Sequence, residues 1–587
     1  MPADPPSPVL WRDDGLPSSS LYGDVYFSSE DGLAESRAVF LAGCGLPGAW
    51  ARRRIFTVGE LGFGTGLNIA ALLRLWKQTR PPGARLHIFS LEAHPMARED
   101  AARALVRWPE LAEPAAALLA AWPGQARGFH RLDLPAFDAV LDLAVADAAE
   151  ALAGWDGRAD AWFLEGFAPA ANPAMWSGEV LGLVAARSAP GARAATFTVA
   201  GAVRRDLAAA GFTVSKQPGF GRKRERLEAV LPGEGTDPFP AGPIAILGAG
   251  IAGASLARAL AALGIEARLF DPAGPGGGAS GNPAALMSPR LEAGDTPPAR
   301  LHAQAFRRAR RLYAAVPGAV LATGARHLAD APRDPARFAR IAEGGLFEPG
   351  EMVAQAGALA MTAAQAVSPE AILRAWARPV EPVAVTGWRR AEQGWEILDA
   401  SGQVRGTVAG IVVCTGPAAA DLAGAEVRPV RGQCSLALGA TLDQAVSFGG
   451  YAVPAPGGVL FGATHQPGDA DTALRPEDDA ANLALVEARL PDLAADLAGR
   501  PLASRASIRA GAPDYLPIAG PVEGQPGVFV LTGLGGRGFC LAPLLAEHLA
   551  ARIAGVPSPL PAPLAAVVEP QRFARRVARR TSQTRAR

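Results

Sequence analysis

Two glycine-rich loops, each directly after an apolar strand-like run, constrain this chain more than any other feature. The first is Gly59-Glu60-Leu61-Gly62-Phe63-Gly64-Thr65-Gly66-Leu67-Asn68, and the second is Ile246-Leu247-Gly248-Ala249-Gly250-Ile251-Ala252-Gly253. Glycine lets the backbone turn tightly and approach a ligand without a Cβ clash, which nucleotide sites require. Because the two loops differ in pattern, the sequence predicts two nucleotide-type ligands and two reactions.

Length and composition favour a globular protein with more than one domain. The chain has 587 residues, of which 49% are hydrophobic and 19% charged, and its formal net charge is +1. Single cores stop growing near about 250–300 residues, and a neutral net charge gives no global attraction to nucleic acid. The four cysteines lack metal-site spacing, and no signal peptide or membrane-spanning run is evident. We therefore expect a cytoplasmic protein without a metal, and the fusion of two halves in one chain favours a monomer.

Proline and glycine mark a domain boundary at 231–243. Upstream, strand-like runs at 55–61, 86–92, 139–145 and 161–167 alternate with Ala/Leu-rich helical runs, and later runs can form an antiparallel edge. Alternation of this kind predicts a parallel α/β sheet. The predicted division is a first domain over 1–235, a linker over 236–243, a second domain over 244–570 and a basic tail over 571–587.

The second half combines an α/β unit with antiparallel strands. A strand before the second loop, a helix over 253–263 and the run EARLFD form the unit, and later runs near 383–408 and 449–465 read as antiparallel strands. This mixture predicts a nucleotide-binding core with a β-rich substrate subdomain. The last 16 residues hold seven arginines and no acid, which indicates either a solvated terminus or a phosphate contact.

The first loop and the acids after it resemble the S-adenosylmethionine site of Rossmann-like methyltransferases. Glu92, after the next strand, can accept both ribose hydroxyls, and Asp147, after the third strand, can meet an adenine amine. An ordinary glycine turn is the alternative. The predicted ligand residues are Glu60, Gly62, Gly64, Gly66, Asn68, Glu92 and Asp147.

Glu165 is the predicted catalytic residue of the first domain. It lies in the run WFLEGFAPAANPAMW, at the carboxyl end of a fourth strand, where α/β proteins bind ligands. A carboxylate that accepts an ammonium proton suits transfer of a methyl group to an amine. The alternative is a strand-end acid that caps a proline-rich turn.

The second loop predicts a dinucleotide site. Gly248 makes the turn, Gly250 admits the pyrophosphate, Gly253 packs the helix on the sheet, and Asp271 takes a ribose hydroxyl. The loop alone does not decide between NAD and FAD.

Later segments favour FAD, and their order resembles the D-amino-acid oxidase and glycine oxidase superfamily. Each segment alone is also consistent with a structural turn. The residues that we expect to contact the flavin are Ser280, Gly281, Asn282, Gly416, Gly533, Gly535, Gly536, Arg537 and Gly538.

Three arginines are candidates for substrate contact in the second domain. In the glycine-oxidase-like family an arginine in the segment that matches Arg509 binds the substrate carboxylate, and Arg537 matches a second arginine near the flavin. Arg431 is a third candidate, with backbone positioning as its favoured role. Each could instead form a salt bridge, and we interpret the cysteines and His465 as structural.

Over nearly its whole length the chain resembles the bifunctional tRNA 5-methylaminomethyl-2-thiouridine biosynthesis family (MnmC). The resemblance implies an α/β fold with an N-terminal methyltransferase domain and a C-terminal FAD domain. One departure is Glu165, where the family usually has aspartate; the extra methylene moves the carboxyl group by roughly 1.5 Å.

The resemblance also implies two consecutive reactions on a tRNA wobble uridine. FAD-dependent removal of a carboxymethyl group gives 5-aminomethyluridine, and S-adenosylmethionine-dependent N-methylation then gives 5-methylaminomethyluridine. Arginine-rich surface near the mouth of each site, at 52–54, at 222–226 and in the tail, is expected to contact RNA. The rival interpretation is a glycine or D-amino-acid oxidase fused to a small-molecule N-methyltransferase. An RNA-binding module without catalysis is a third, which the intact loops and acids disfavour.

Overall fold

Both glycine loops lie at the carboxyl ends of parallel strands in a computed structural model that describes residues 8–221, 223–235, 239–240, 242–377 and 379–576. Residues 236–238 and 241 of the predicted linker, Arg222 and residues 577–587 of the predicted tail lie outside the described residues. The chain forms two units, Met1–Pro238 with Gly555–Ala562 and Phe239–Ala554 with Pro563–Arg587.

The first unit contains an eight-stranded sheet in the order β5-β6-β4-β3-β7-β8-β10-β9, beside a short β1–β2 hairpin. The pairs that join β6, β4, β3, β7 and β8 are parallel, whereas β5, β9 and β10 run antiparallel to their neighbours. The strands are β1 Val9–Trp11, β2 Pro17–Ser19, β3 Ile55–Leu61, β4 Arg85–Leu91, β5 Gly128–Leu134, β6 Ala139–Val145, β7 Ala159–Leu164, β8 Ser188–Thr196, β9 Thr213–Pro218 and β10 Glu225–Val230.

Helices cover both faces of this sheet, and a tryptophan-rich core lies on each side. Trp50 and Trp76 pack on one face, while Trp155 and Trp162 pack on the other. Gly59 is required in β3 because a Cβ there would lie 2.3 Å from the Trp162 ring. The helices are α1 Gly32–Glu35, α2 Leu67–Thr79, α3 Arg98–Leu105, α4 Ala112–Ala120, α5 Ala148–Gly154, α6 Gly178–Ala186 and α7 Gly201–Ala209.

The predicted parallel sheet with an antiparallel edge is confirmed. The predicted runs 55–61 and 139–145 coincide with β3 and β6. The run predicted over 161–167 instead ends at Leu164. Gly166 has φ 153, and a Cβ there would lie 2.4 Å from Met175 Sδ, so the chain leaves the sheet at this point.

The second unit contains a six-stranded sheet in the order β17-β12-β11-β21-β29-β28, parallel except for β28. A ten-stranded sheet holds most other strands, and β18, β19 and β20 form a three-stranded antiparallel sheet. The strands are β11 Ile244–Leu247, β12 Ala267–Phe270, β13 Ala285–Met287, β14 Val320–Leu328, β15 Met352–Gln355, β16 Ala358–Val367, β17 Val380–Glu381, β18 Val385–Arg390, β19 Trp395–Asp399, β20 Val404–Val408, β21 Gly410–Val413, β22 Arg428–Leu438, β23 Ala445–Ser447, β24 Tyr451–Ala455, β25 Gly458–Gly462, β26 Gln466–Pro467, β27 Leu502–Gly511, β28 Ile518–Pro521 and β29 Val528–Thr532.

These sheets confirm the predicted nucleotide core and antiparallel subdomain. Among the helices, α8 follows the second glycine loop as predicted. The helices are α8 Ile251–Ala262, α9 Pro297–Ala314, α10 Asp334–Glu343, α11 Pro369–Trp376, α12 Ala419–Ala423, α13 Pro476–Arg489, α14 Pro491–Leu497, α15 Gly538–Ala554 and α16 Ala562–Val568.

Two segments near the carboxyl end differ from the predicted division. Gly555–Ala562 belongs to the first unit, where Arg131 Nη2 donates to Pro557 O at 3.3 Å. Arg572, predicted to lie in a solvated or phosphate-binding tail, is buried and forms a two-bond ion pair with Asp514. Because its guanidinium is fully engaged inside the fold, Arg572 is a structural residue.

Arg431 lies in β22 with no exposed surface, inside the ten-stranded sheet. Its guanidinium pairs with Asp478 and donates to Gln466 Oε1 at 3.0 Å, Asp471 O at 2.8 Å and Ala473 O at 2.6 Å. Arg431 thus bonds to two backbone carbonyls, as its favoured role requires, and also forms the salt bridge that was its alternative.

Replacing Arg431 by methionine should lower the free energy of unfolding of the second unit by about 3–5 kcal/mol, because it leaves the Asp478 carboxylate buried without its cation. Calorimetric unfolding measures the change. Arg389→Met, which breaks an exposed pair with Glu396, is the matched control and should cost about 1 kcal/mol or less. Equal destabilisation in the two variants would contradict the structural role of Arg431.

Candidate active sites

The first glycine loop turns between β3 and α2 through three left-handed residues. Gly62, Gly64 and Gly66 have φ values of 78°, 51° and 75°, which a side chain would strain. Leu61 and Leu164 are paired in register, so the loop after β3 and Glu165 after β7 emerge side by side. A Cβ on Gly62 would lie 3.5 Å from Glu165 O. The loop therefore lies against the backbone of Glu165, the predicted catalytic residue.

The two predicted nucleotide acids follow the neighbouring strands at this same edge. Glu92 follows β4, and its carboxylate accepts from Gly64 N at 3.1 Å and from His94 N at 3.0 Å. Asp147 follows β6 at the start of α5, where its exposed side chain makes no capping hydrogen bond to the helix. The placement of both acids supports the predicted ribose and adenine contacts, which stay predictions.

Two hydrogen bonds hold the carboxyl groups of Glu165 and Glu60. Asn68 Nδ2 donates to Glu165 Oε2, and Ser90 Oγ donates to Glu60 Oε2 at 2.6 Å. Burial, and then the charge of Glu35, raise the pKa of Glu165 to about 8. Burial also raises the pKa of Glu60 well above its usual range. Since Glu60 has no exposed surface, it supports the loop from within the sheet.

An aromatic wall at this site was not predicted from the sequence. Phe167 stacks on Tyr22 with ring centroids 4.9 Å apart and meets Tyr26 edge-on at 5.3 Å. Asp24 Oδ2 accepts from Ala168 N at 3.1 Å and ties this amino-terminal segment to the loop after Glu165. The aromatic run YGDVYF at 22–27 could have indicated these contacts with Phe167. It lies far from the glycine loop in sequence, so no local pattern connected it with this site.

The predicted basic surfaces of the first unit lie at opposite edges of the sheet. Residues 52–54 precede β3 at the amino edge, away from Glu165, and Arg53 pairs with Asp160 at 3.1 Å. The expectation that they flank the site mouth is therefore wrong. The turn between β9 and β10 lies at the carboxyl edge, because Leu227 pairs with Thr196, the last residue of β8. Among the described residues of this region, four exposed cations form the carboxyl-edge basic surface: Arg204, Arg205, Lys223 and Arg224. Lys223 also pairs with Glu35 at 2.8 Å.

In the second unit, the second glycine loop opens onto a cavity of about 720 Å³. It reaches from Asp271 to Arg509, so cofactor-type and substrate-type residues share one space. The predicted residues that line it are Gly248, Gly250, Asp271, Ser280, Asn282, Gly416, Arg509, Gly533, Gly535, Gly536, Arg537 and Gly538.

Gly253 and Gly281 do not line the cavity, but each allows two backbone segments beside the cavity to pack closely. A Cβ on Gly253 would lie 1.9 Å from Gly248 O, and one on Gly281 would lie 2.0 Å from Gly276 O. Ser280 Oγ accepts from Ile251 N at 2.9 Å at the start of α8. These approaches leave a bare backbone cradle that fits a dinucleotide.

Arg509 projects from β27 into the cavity, where Nη2 donates to Thr464 O at 2.8 Å. A Cβ on Gly432 would lie 2.0 Å from that nitrogen, so this glycine makes room for the guanidinium. Burial lowers the pKa of Arg509. Within the described part of the chain no carboxylate forms an ion pair with it, and a ligand carboxylate would supply the missing charge.

Arg537 and Arg505 fasten the cavity walls. Arg537 lines the cavity beside the loop after β29 and donates to Ser288 O at 3.2 Å. Arg505, which sequence reasoning missed, donates to Asn282 Oδ1 at 2.9 Å and to Gly278 O at 2.6 Å. The signal for Arg505 was its strand alternation with Ser507 and Arg509, which places all three on one face of β27.

The remaining candidate groups are mostly structural. All four cysteines are buried, as predicted, and burial raises the pKa of Cys540 to about 12. His465, interpreted as structural, lines the cavity. Within the described ranges, no three His, Cys, Asp or Glu side chains are grouped to hold a metal, and no helix is long and apolar enough to span a bilayer.

Replacing Glu165 by glutamine should make the first unit more stable relative to wild type as the pH rises. The folded-state pKa of about 8 exceeds the value of about 4.3 expected in an unfolded chain. Stability from the bound proton is therefore complete below about pH 4, falls progressively up to about pH 8 and then stays level. Thermal unfolding across this range measures the difference.

The exposed Glu113→Gln is the matched control for this titration. A difference between Glu165→Gln and wild type that stays constant across the pH range would contradict the raised pKa of Glu165.

Comparison with protein families assigns a class to each half. Residues 109–232 match the family described as S-adenosyl-L-methionine-dependent methyltransferase, and residues 243–552 match the family described as FAD dependent oxidoreductase. The second glycine loop alone left NAD and FAD open, and the match to the FAD dependent oxidoreductase family decides between them. The cofactor of the second domain is FAD.

Similar proteins extend over nearly the entire chain. A curated tRNA 5-methylaminomethyl-2-thiouridine biosynthesis bifunctional protein MnmC from Caulobacter vibrioides is 59% identical over 94% of this chain and 95% of that protein. The protein of the same name from Maricaulis maris is 45% identical over 98% of each chain. The crystal structure of glycine oxidase from Geobacillus kaustophilus is 24% identical, with a TM-score of 0.46, over 54% of this chain and 95% of that one. The chain belongs to the MnmC family of bifunctional tRNA 5-methylaminomethyl-2-thiouridine biosynthesis proteins.

Proposed function

We propose that this protein carries out two consecutive reactions on a tRNA wobble uridine. The second domain, 244–570, removes the carboxymethyl group of 5-carboxymethylaminomethyluridine and leaves 5-aminomethyluridine. The first domain, 1–235, then methylates the freed amine to give 5-methylaminomethyluridine. The observation that carries this proposal is that each unit holds its own glycine loop beside a side chain suited to its reaction, Glu165 in the first and Arg509 in the second.

In the oxidation, the chain's own residues bind and orient the glycine-like arm. FAD, when held in the cradle of the second glycine loop, would supply the acceptor for a hydride from the carbon between the amine and the carboxylate. Arg509 holds the carboxylate with a charge-assisted contact, which fixes that carbon within the cavity. Water then adds to the resulting imine and cleaves the carbon–nitrogen bond, which releases the primary amine and glyoxylate. Arg505 and Arg537 keep the cavity walls in place.

In the methylation, Glu165 accepts the proton that the amine must lose. S-adenosylmethionine supplies the methyl group to the nitrogen lone pair. The pKa of an alkylammonium is about 10, and the Glu165 pKa of about 8 is closer to it than the pKa of an ordinary carboxyl group is. Transfer of the proton from the ammonium to Glu165 therefore costs less free energy. The arriving ammonium also favours the ionised form of Glu165. Asn68 orients the carboxylate through its amide.

The carboxyl-edge basic surface supports an RNA substrate. Its four cations lie around the turn and helix that border the Glu165 site, and Lys223 Nζ lies 4.1 Å from the centre of the Phe197 ring. Cations of this kind neutralise phosphates and make binding sensitive to salt. We also propose that the protein acts as a cytoplasmic monomer, since each unit contains its own set of site residues.

Mass spectrometry of nucleosides from tRNA incubated with the protein tests this function. Without S-adenosylmethionine, 5-carboxymethylaminomethyluridine should become 5-aminomethyluridine, because only the oxidation can proceed. With S-adenosylmethionine, 5-methylaminomethyluridine should accumulate. Unchanged tRNA in both reactions, together with turnover of free glycine or sarcosine, would contradict the proposal and favour a small-molecule oxidase fused to a small-molecule methyltransferase.

A further inference from the structure

The turn between β27 and β28 carries an exposed aromatic ring on an unfavourable backbone. Tyr515 is 76% exposed, and its φ of 58° lies in the left-handed region. Among the described residues, only Asp138 and Tyr515 have positive φ without being glycine. A bulky residue in this conformation costs free energy and persists only where its surroundings enforce it.

A buried arginine enforces the conformation. Arg572, 4% exposed, donates to Asp514 Oδ2 and Oδ1, both at 2.9 Å, and to Leu516 O at 3.0 Å. One guanidinium therefore fixes the residues on both sides of Tyr515. Tyr515 N also donates to Ala512 O at 3.0 Å. Because its neighbours are fastened inward, the ring is presented to solvent.

This turn is rooted in the wall of the flavin cavity. Before the turn, Ala510 lines the cavity and Gly511 pairs with Leu534. After it, Ile518 pairs with Thr532, the last residue before the cofactor loop. Tyr515 thus stands at the carboxyl edge of the six-stranded sheet, the edge onto which the cavity opens.

We propose that Tyr515 is a stacking platform for an unpaired anticodon-loop base that neighbours the base entering the flavin cavity. This inference rests on the proposed tRNA function. A base withdrawn from its stack leaves its neighbour without a stacking partner, and an exposed tyrosine ring replaces that partner whatever the base. Arg576, 48% exposed and bonded at 2.7 Å to Asp514, the residue before Tyr515, supplies an exposed cation at this turn for the adjoining phosphate.

Two substitutions separate the ring from the backbone. Tyr515→Asn removes the ring but tolerates the left-handed conformation, so the turn should stay folded. Tyr515→Phe keeps the ring and loses only the hydroxyl. With FAD-loaded full-length protein and tRNA bearing 5-carboxymethylaminomethyluridine, we expect Tyr515→Asn to lower kcat/KM for the oxidation roughly 5- to 150-fold, mainly through KM. Tyr515→Phe should match wild type.

A fluorescent base reports the stacking directly. With 2-aminopurine next to the wobble position, wild type and Tyr515→Phe should quench its emission on binding, and Tyr515→Asn should not. Wild-type kinetics in Tyr515→Asn, equal losses in both variants, or a kinetic loss without a change in quenching would overturn the platform. Failure of the wild-type protein to convert tRNA would instead count against the proposed function, before any variant is compared.

Discussion

Backbone that can carry no side chain at the two glycine loops is the constraint on which both sites depend. A Cβ on Gly253 would fall 1.9 Å from Gly248 O, and one on Gly248 would fall 2.5 Å from Cys414 O. In the first unit, Gly59 admits the Trp162 ring against β3, and the left-handed Gly62 follows beside Glu165. The absence of side chains at these positions lets each following helix begin against its sheet. Nucleotide-sized space is thereby left at the carboxyl edge.

Burial then gives the two sites opposite electrostatic characters. In the first unit it raises the pKa of Glu165, which brings the proton affinity of this carboxyl group closer to that of an amine. In the second unit it lowers the pKa of Arg509, whose cation faces a cavity in which it pairs with none of the described carboxylates. Before oxidation the substrate arm carries a carboxylate, which complements Arg509 in the second unit. After oxidation the arm carries a free amine, which complements Glu165 in the first unit. Its chemistry accordingly sets the order of the reactions.

Features encoded by neighbouring residues were predictable from the sequence, whereas contacts across the fold were not. Local sequence patterns predicted the glycine loops, strands β3 and β6, helix α8 and most of the residues that line the cavity. The contacts of Tyr22 with Phe167 and of Arg505 with Gly278 join segments far apart in sequence. Strand alternation indicates the face on which Arg505 lies, but no local pattern indicates either contact. Arg572 was misread because a run of arginines indicates solvent, while burial depends on the distant Asp514.

If each unit contains a whole active site and one substrate couples the two, the two activities can be supplied by different molecules of the protein. Mixing Glu165→Gln protein with Arg509→Met protein tests it most directly, with nucleoside mass spectrometry on tRNA in the presence of S-adenosylmethionine. Separately, the first variant should stop at 5-aminomethyluridine and the second should leave 5-carboxymethylaminomethyluridine unchanged. The mixture should restore 5-methylaminomethyluridine, since each variant retains the site that the other lacks. A mixture that forms none of this product, while wild type does, would contradict the claim.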